Sequence, residues 1–311
     1  MGTSPFAVPC LKALFETGEN VVGVFTQPDK PQGRGRKIKI SPIKEVALKK
    51  QILLFQPAKI NRDESIGIIK SLSPDLIVVA AFGQIISQRI LDIPRVGSIN
   101  VHASLLPKYR GAAPINWAII RGEKETGITT MLLDKGLDTG DILIQRTMDI
   151  CPEENAGELH DRLAQVGAEA LLETIEKVKF DVLTPRKQME SEASYAPPLK
   201  KENGVIDWEK SAEKIHNHIR GMNPWPGAFT YLEGKILKVY RANQVIQGPF
   251  SEPGRVVEIS DEGILVSTGE GLILLIEIQL ENHKRMAAAL FLRGHHIPIG
   301  TQFGKLKPLP F

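Results

Sequence analysis

Leu76-Ile77-Val78-Val79-Ala80-Ala81 is an apolar run with no polar residue in it. A strand covered on one face alternates apolar and polar residues, so an unbroken run predicts a strand covered on both faces, as in parallel sheets flanked by helices. Working outward, residues 20–26 (NVVGVFT), 98–102 (SINVH) and 127–133 (GITTMLL) read as further strands. Between them, residues 63–72 place Ile66, Ile69 and Leu72 three apart. Residues 155–178 place Leu159, Leu163, Val166, Ala170 and Ile175 on one side of a helix. Asn155 is positioned to cap that helix, with Glu158 three residues on to complete a capping box. Strands alternating with helices predict an α/β fold built on a Rossmann-like, mostly parallel sheet.

The texture changes near residue 183. Residues 185–203 hold three prolines, four Lys or Arg and few large apolar residues, with Ala196-Pro197-Pro198 at the centre. Proline fixes φ and removes a donor, so this stretch reads as an extended linker. A short helix follows over residues 212–221. Five strand-like segments with glycine-containing turns come next, over residues 228–232, 237–241, 254–259, 263–267 and 272–279. That pattern predicts a small antiparallel barrel. The expected organisation is a first domain over 1–184, a linker over 185–205 and a second domain over 206–311.

Gly2-Thr3-Ser4-Pro5 looks like the turn that follows a strand, yet only Met1 precedes it. The first strand of a doubly wound sheet is central, so the reading is that this strand is missing and that Met1 is an internal methionine of a longer chain.

With 311 residues, 42% apolar and 24% charged, the chain has the composition of a globular protein of about two domains. Disordered, fibrous and disulfide-stapled classes are excluded. No apolar run approaches the roughly 18 residues of a membrane span, and no charged start precedes an apolar stretch as in a signal peptide. The two cysteines, Cys10 and Cys151, have no Cys-x-x-Cys or metal-ligand spacing and read as reduced thiols of a cytosolic protein. No metal is expected.

The chemistry concentrates in residues 98–141. Asn100 and His102 lie two apart at the end of a strand, so both project from one face. That end borders the cleft where open α/β sheets bind ligands. Ser104-Leu105-Leu106-Pro107 follows as a loop whose leucines need cover, either by packing on its own domain or by an apolar ligand. Asp134-Lys135-Gly136-Leu137-Asp138-Thr139-Gly140-Asp141 brings three acids but misses the EF-hand spacing. A carboxylate beside His102 would orient the ring and favour its charged form. Amide, imidazole and carboxylate without a nucleophile of the protein's own suit acyl or formyl transfer, in which the substrate brings the nucleophile.

Residues 30–50 carry Lys30, Arg34, Arg36, Lys37, Lys39, Lys44, Lys49 and Lys50 against Glu45 alone. So dense a basic segment points to phosphates, nucleic acid first. The dinucleotide fingerprint fails because position 38 is Ile.

Ile99-Asn100-Val101-His102, Ser104 to Pro107, Tyr109-Arg110-Gly111-Ala112-Ala113-Pro114 and Gly136-Leu137-Asp138-Thr139-Gly140-Asp141 together resemble the methionyl-tRNA formyltransferases, a branch of the 10-formyltetrahydrofolate-dependent formyltransferase family. Residues 21–35 (VVGVFTQPDKPQGRG), 80–86, 222–227 (MNPWPG) and Phe291-Leu292-Arg293-Gly294 extend the likeness over nearly the whole chain. The resemblance implies Asn100, His102 and Asp138 as the catalytic set. It implies Ser104, Leu105, Leu106 and Pro107 as the folate-binding loop, and Phe82, Gly83, Gln84, Ile85 and Ile86 as the wall of the pterin pocket. Arg34, Arg36, Lys37 and Lys39 fall on the loop that meets the tRNA acceptor end, and the second domain would be an OB-like barrel touching the tRNA. The implied reaction takes 10-formyltetrahydrofolate and initiator methionyl-tRNA in the bacterial cytoplasm, with no membrane partner and nothing that demands a dimer. Two other readings remain open on the residues: a formyltransferase for a small amine, and an RNA-binding module on an inactive scaffold.

Overall fold

The computed structural model describes residues 1–32, 37–245 and 251–304. The chain divides into two compact units. The first holds Met1–Pro114, Glu125–Asp149 and His160–Ala196; the second holds Ile115–Lys124, Ile150–Leu159 and Pro197–Phe311.

In the first unit the apolar run forms the strand Leu76–Val79, paired in parallel with Gly97–His102 so that Val79 lies opposite Asn100. Ile77 and Val79 are buried and join Phe25, Ile60, Ile66, Ile69, Phe82 and Ile90 in one core cluster. Beyond Gly97–His102 the sheet turns antiparallel: Glu125–Leu132 pairs with it, and Ile142–Asp149 pairs with Glu125–Leu132. Val24–Phe25 and Leu54–Phe55 form a further parallel pair. Only two residues of the apolar stretch 20–26 are paired as a strand.

Met1 to Thr3 lie on the line between Val24–Phe25 and Leu76–Val79. The Gly2 N–H donates to Phe25 O (3.0 Å), Ala80 N–H to Met1 O (3.0 Å) and Thr3 N–H to Ala81 O (3.2 Å), and Gly2 bridges Ala80 in parallel. These residues therefore occupy the place of the central strand that the sequence pattern requires. Gly2 is confined there: a Cβ would stand 2.7 Å from the Cβ of Ala7 and 3.0 Å from Ala80 O. The Met1 ammonium donates to Val78 O at 2.6 Å, and burial pushes it down to about 5. An apolar groove of about 570 Å³ runs on from Met1, lined by Val21, Val22, Gly23, Leu76, Val78 and Ile175 among others. In an extended strand the N–H and C=O of one residue point the same way, so Val78 and Phe25 present their other backbone groups to this groove.

The second unit is built on an antiparallel sheet in the order Ala228–Leu232, Lys235–Val245, Leu272–Leu280, Ile264–Ser267, Val256–Ile259, with Met286–Ala287 also on Leu272–Leu280. Among the described residues no pairing joins the first of these strands to the last. Ala228–Leu232 buries alternate residues and Ile264–Ser267 all four, and Leu237, Val239, Ile264, Val266 and Ile273 are at or near full burial. The helix Ala212–Met222 opens on Ser211, whose hydroxyl accepts from Lys214 N–H.

The long helix Ala156–Lys179 opens on the capping box expected of Asn155 and Glu158. Asn155 Oδ1 accepts from the N–H of Gly157 and of Glu158, and Glu158 Oε2 accepts from Asn155 N–H (2.9 Å); such a cap contributes about 1 kcal/mol. Among the described residues no helix is long and apolar enough to cross a membrane. Cys10 is buried, and desolvation pushes its thiol up to about 12; Cys151 is exposed.

The stretch read as a linker lies within the two units, with residues up to Ala196 in the first and those from Pro197 in the second. Arg186 exchanges two backbone hydrogen bonds with Ile142, each 2.8 Å, and Tyr195–Ala196 pairs in parallel with Arg110–Gly111.

A prediction follows from the groove beyond Met1. Fusing five apolar, β-prone residues ahead of Met1 should replace a desolvated amino group with a peptide N–H and bury several side chains. The melting temperature should rise by about 5 °C or more, since each kcal/mol moves a chain of this size by roughly 2–4 °C. An unchanged or lower Tm for the extended chain shows that the groove does not take a strand.

Candidate active site

Asn100 and His102 stand on one face of Gly97–His102, where alternate side chains share a side. The neighbouring strand Leu76–Val79 ends level with Asn100, so the chain from Ala80 to Ile86 leaves the sheet at the edge that carries His102. Asn100 is half-buried and His102 is 6% exposed.

The imidazole is held by a carbonyl. His102 Nε2–H donates to Tyr109 O at 3.0 Å, which in the neutral ring leaves Nδ1 as the lone-pair nitrogen. Nδ1 faces Asp138 Oδ2 at 3.7 Å, too long for a hydrogen bond. That carboxylate oxygen accepts from the Gly111 N–H at 2.8 Å. Gly111 has φ +120°, and a Cβ there would meet Ala196 O at 2.7 Å, so no side chain fits. Tyr109 and Asp138 both sit in left-handed backbone, at φ 61° and 54°. Such conformations cost on the order of 1–3 kcal/mol in residues other than glycine and gather at functional sites. Both residues flank His102.

The residues of the loop 104–107 divide into two groups. Ser104 is fully buried and its hydroxyl donates to Lys108 O at 2.6 Å. Leu106 N–H donates to Thr129 Oγ1, its carbonyl accepts from Gln145 Nε2, and its side chain packs on Met131 and Ile142. These two hold the loop's shape, and both backbone groups of Leu106 are used internally. Leu105 and Pro107 are half-buried. In the stretch 82–86, Phe82 is core and Ile86 packs against the same cluster. Gln84 spends its side chain on Ile60 N–H and Pro57 O. Gly83 and an 82%-exposed Ile85 remain at the surface. The three acids of residues 134–141 also separate. Asp134 accepts from Thr139 Oγ1 and Gly136 N–H and so shapes the turn, while Asp138 alone reaches His102.

Of the basic segment, Arg34 and Arg36 lie outside the described residues. Lys37 and Lys39 belong to the strand Lys37–Lys39, paired antiparallel with Lys30–Gln32. Lys44 is committed inward: its Nζ donates to Asp29 (2.6 Å) and Gln56 (2.8 Å), and hydrogen bonds from Lys44 and Gln56 hold the Asp29 carboxyl below its usual range.

Sequence reading missed several supporting groups. Thr129 is fully buried, donates to Ser104 O and accepts from Leu106 N–H; its place opposite His102 in the sheet was the only signal. Gln27 Nε2 donates to Phe82 O and Gly83 O. Arg110 lies inside the Tyr-Arg-Gly motif yet is 1% exposed, with Nη1 on Glu190 at 2.8 Å. Desolvation opposes its charge, but hydrogen bonds to Glu190 and Tyr195 outweigh that and hold it above its ordinary value.

Comparison with known proteins agrees with this architecture. The family described as formyl transferase matches residues 1–175, and the formyl transferase C-terminal domain matches residues 198–296. The methionyl-tRNA formyltransferase of Geobacter sulfurreducens is 51% identical over 305 residues, covering 98% of this chain and 96% of that one. That of Caldanaerobacter subterraneus subsp. tengcongensis is 53% identical over 302 residues, covering 97% of each. Among solved structures, the N-formyltransferase from Helicobacter canadensis in complex with folinic acid and dTDP-3-aminofucose superposes with a TM-score of 0.65 at 20% identity. That match covers 88% of this chain and 96% of the other, and it speaks for the fold alone. A formyl transferase domain over the half of the chain that holds Asn100, His102 and Asp138, with its C-terminal companion beyond, makes this chain a member of the formyl transferase family.

Proposed function

We propose that the chain transfers the formyl group of 10-formyltetrahydrofolate to the free α-amine of initiator methionyl-tRNA, giving formylmethionyl-tRNA for translation initiation. The observation that carries this reading is the identity of about half of all residues, over nearly the full length of both chains, to methionyl-tRNA formyltransferases. The gathering of Asn100, His102 and Asp138 supports the same chemistry. We read the C-terminal antiparallel sheet as an OB-like module that contacts the tRNA, and the protein as a monomer of the bacterial cytoplasm.

The site suits the folate in kind. Ile85 and Leu105 leave apolar surface in loops, as a pterin ring needs, while Phe82, Gln84, Ser104 and Leu106 frame those loops from beneath. The bound folate supplies the formyl group on N10. Attack by the amine places negative charge on the formyl oxygen, and we read the half-buried Asn100 amide as the donor that meets it. The amine must lose a proton. His102 Nδ1 carries the lone pair because Nε2–H is bound to Tyr109 O, so Nδ1 takes that proton, directly or through a water. The resulting imidazolium keeps its bond to Tyr109 and faces Asp138 at 3.7 Å, where the carboxylate stabilises the charge. The same proton is then available to the leaving nitrogen. The chain needs no nucleophile of its own.

His102→Ala and Asp138→Asn should each lower kcat by at least about 10²-fold, the scale on which one polar group in such a site acts, with far smaller changes in Tm. Near wild-type turnover in both variants would remove the catalytic assignment. Arg34→Ala should raise KM for methionyl-tRNA, leave that for the folate alone and flatten the dependence on salt, since each lost phosphate contact lowers the slope by about one. An unchanged KM and slope would take the loop out of tRNA recognition. The assay itself pairs 10-formyltetrahydrofolate with methionyl initiator tRNA against competing small amines; preference for a small amine favours the alternative substrate class.

A further inference from the structure

The stretch with the composition of a linker runs beside the candidate site. It is anchored at one end by the paired backbones of Arg186 and Ile142 and at the other by Tyr195–Ala196 against Arg110–Gly111. Between these anchors Gln188 uses its amide fully. Nε2 donates to Asp138 O at 2.8 Å and to Gly140 O at 2.7 Å, and Oε1 accepts from Arg110 Nε at 3.0 Å. Arg110 cannot readily shift, being buried with its other arm on Glu190. One side chain thus ties the carbonyls on either side of Thr139 to a fixed guanidinium.

Asp138 needs such a tether. Its left-handed φ of 54° opposes the position it holds, and among the described residues its carboxylate has one short contact, the Gly111 N–H. Without the amide of Gln188 the residue can relax toward ordinary backbone and carry its carboxylate away from His102.

We propose that Gln188 is a positioning residue, acting through Asp138: it holds the strained loop so that the carboxylate stays against Gly111 and His102. This inference rests on the proposed roles of His102 and Asp138. A purely structural role for Gln188 would show as lost stability with no preference for the chemical step.

The experiment uses the full chain with 10-formyltetrahydrofolate and methionyl initiator tRNA, measuring kcat, both KM values and Tm for Gln188→Ala, Gln188→Glu and Asp138→Asn, and for Gln188→Ala combined with Asp138→Asn. Gln188→Glu keeps the acceptor for Arg110 but loses both N–H donors, so it should stay folded. Both single Gln188 variants should lose about 10- to 100-fold in kcat, as expected of a displacement near 1 Å, with each KM within about threefold. The double variant should be no slower than Asp138→Asn alone by more than about twofold, because residues acting as a unit are not additive. Wild-type kcat in Gln188→Glu, a loss confined to KM, or losses that multiply in the double variant overturn the proposal. If Asp138→Asn itself turns over normally, the catalytic reading fails and this inference with it. If Asp138→Asn is slow and both Gln188 variants are normal, only this inference fails.

Discussion

A carboxylate is useful beside an imidazole only while it stays there, and the backbone at Asp138 gives it reason to leave. Its left-handed conformation is balanced by bonds from two separate segments, and the first of them also holds the His102 ring. Gly111 N–H takes the carboxylate, Gln188 takes the carbonyls of Asp138 and Gly140, and Tyr109, itself left-handed, holds the far side of the His102 ring. Each bond is worth about 1 kcal/mol net, whereas the strain is of order 1–3 kcal/mol at each of two residues. The arrangement therefore closes only as a set, with the buried Arg110 as its fixed point. Gly111 is the clearest demand on sequence: it must donate to Asp138 while Ala196 O passes too close for any Cβ.

The sheet sets where this cluster can form. Leu76–Val79 and Gly97–His102 run in parallel and bring two loops out at one edge; Glu125–Leu132, running back against His102, delivers Thr129 beneath the Ser104–Leu106 loop. Antiparallel pairing at this position has a chemical use. It places one fully buried hydroxyl where it can satisfy a carbonyl and an N–H of a loop that would otherwise carry unpaired backbone into the core. The loop thus keeps its shape from below and leaves Leu105 and Pro107 at its surface.

Much of this was legible in the sequence because local rules and tertiary demands agree there. The continuous apolar run, the Asn100–His102 spacing and the Asn155–Glu158 box each state their structure within a few residues. The expected helix over residues 63–72 is the observed Asp63–Leu72, and the expected strand over 228–232 is Ala228–Leu232. Where the reading differed, the deciding contact was distant. Residues 185–196 have the composition of a linker because backbone and amide groups, not apolar side chains, fasten them to the first unit. The antiparallel strand Ile142–Asp149 was hidden because only its first half is buried. Lys44 looked like part of a basic surface until Asp29 and Gln56 were seen to hold it. Phe82, Gln84, Ser104 and Leu106 were assigned to a ligand by resemblance; in the structure their side chains are spent within the protein, in the core or on the backbone of the loops they belong to.

The two nitrogens of His102 are unequal, and this decides which way a proton can travel. Nε2 is occupied by a backbone carbonyl, a partner that accepts but cannot release a proton, so this bond fixes the tautomer without joining the chemistry. Nδ1 is the nitrogen left to gain a proton, and it is the one turned toward Asp138. At 3.7 Å the carboxylate is too far to compete for a hydrogen bond while the ring is neutral, yet close enough for Coulomb attraction once the ring is charged. A shorter contact would favour a proton on Nδ1 before substrate arrives and leave no lone pair there to take the proton of the amine. A much longer one would leave the imidazolium without a nearby counter-charge. In the proposed reaction the strained loop at Asp138 sets a distance, and the groups that hold it, Gly111 and Gln188, act through that distance.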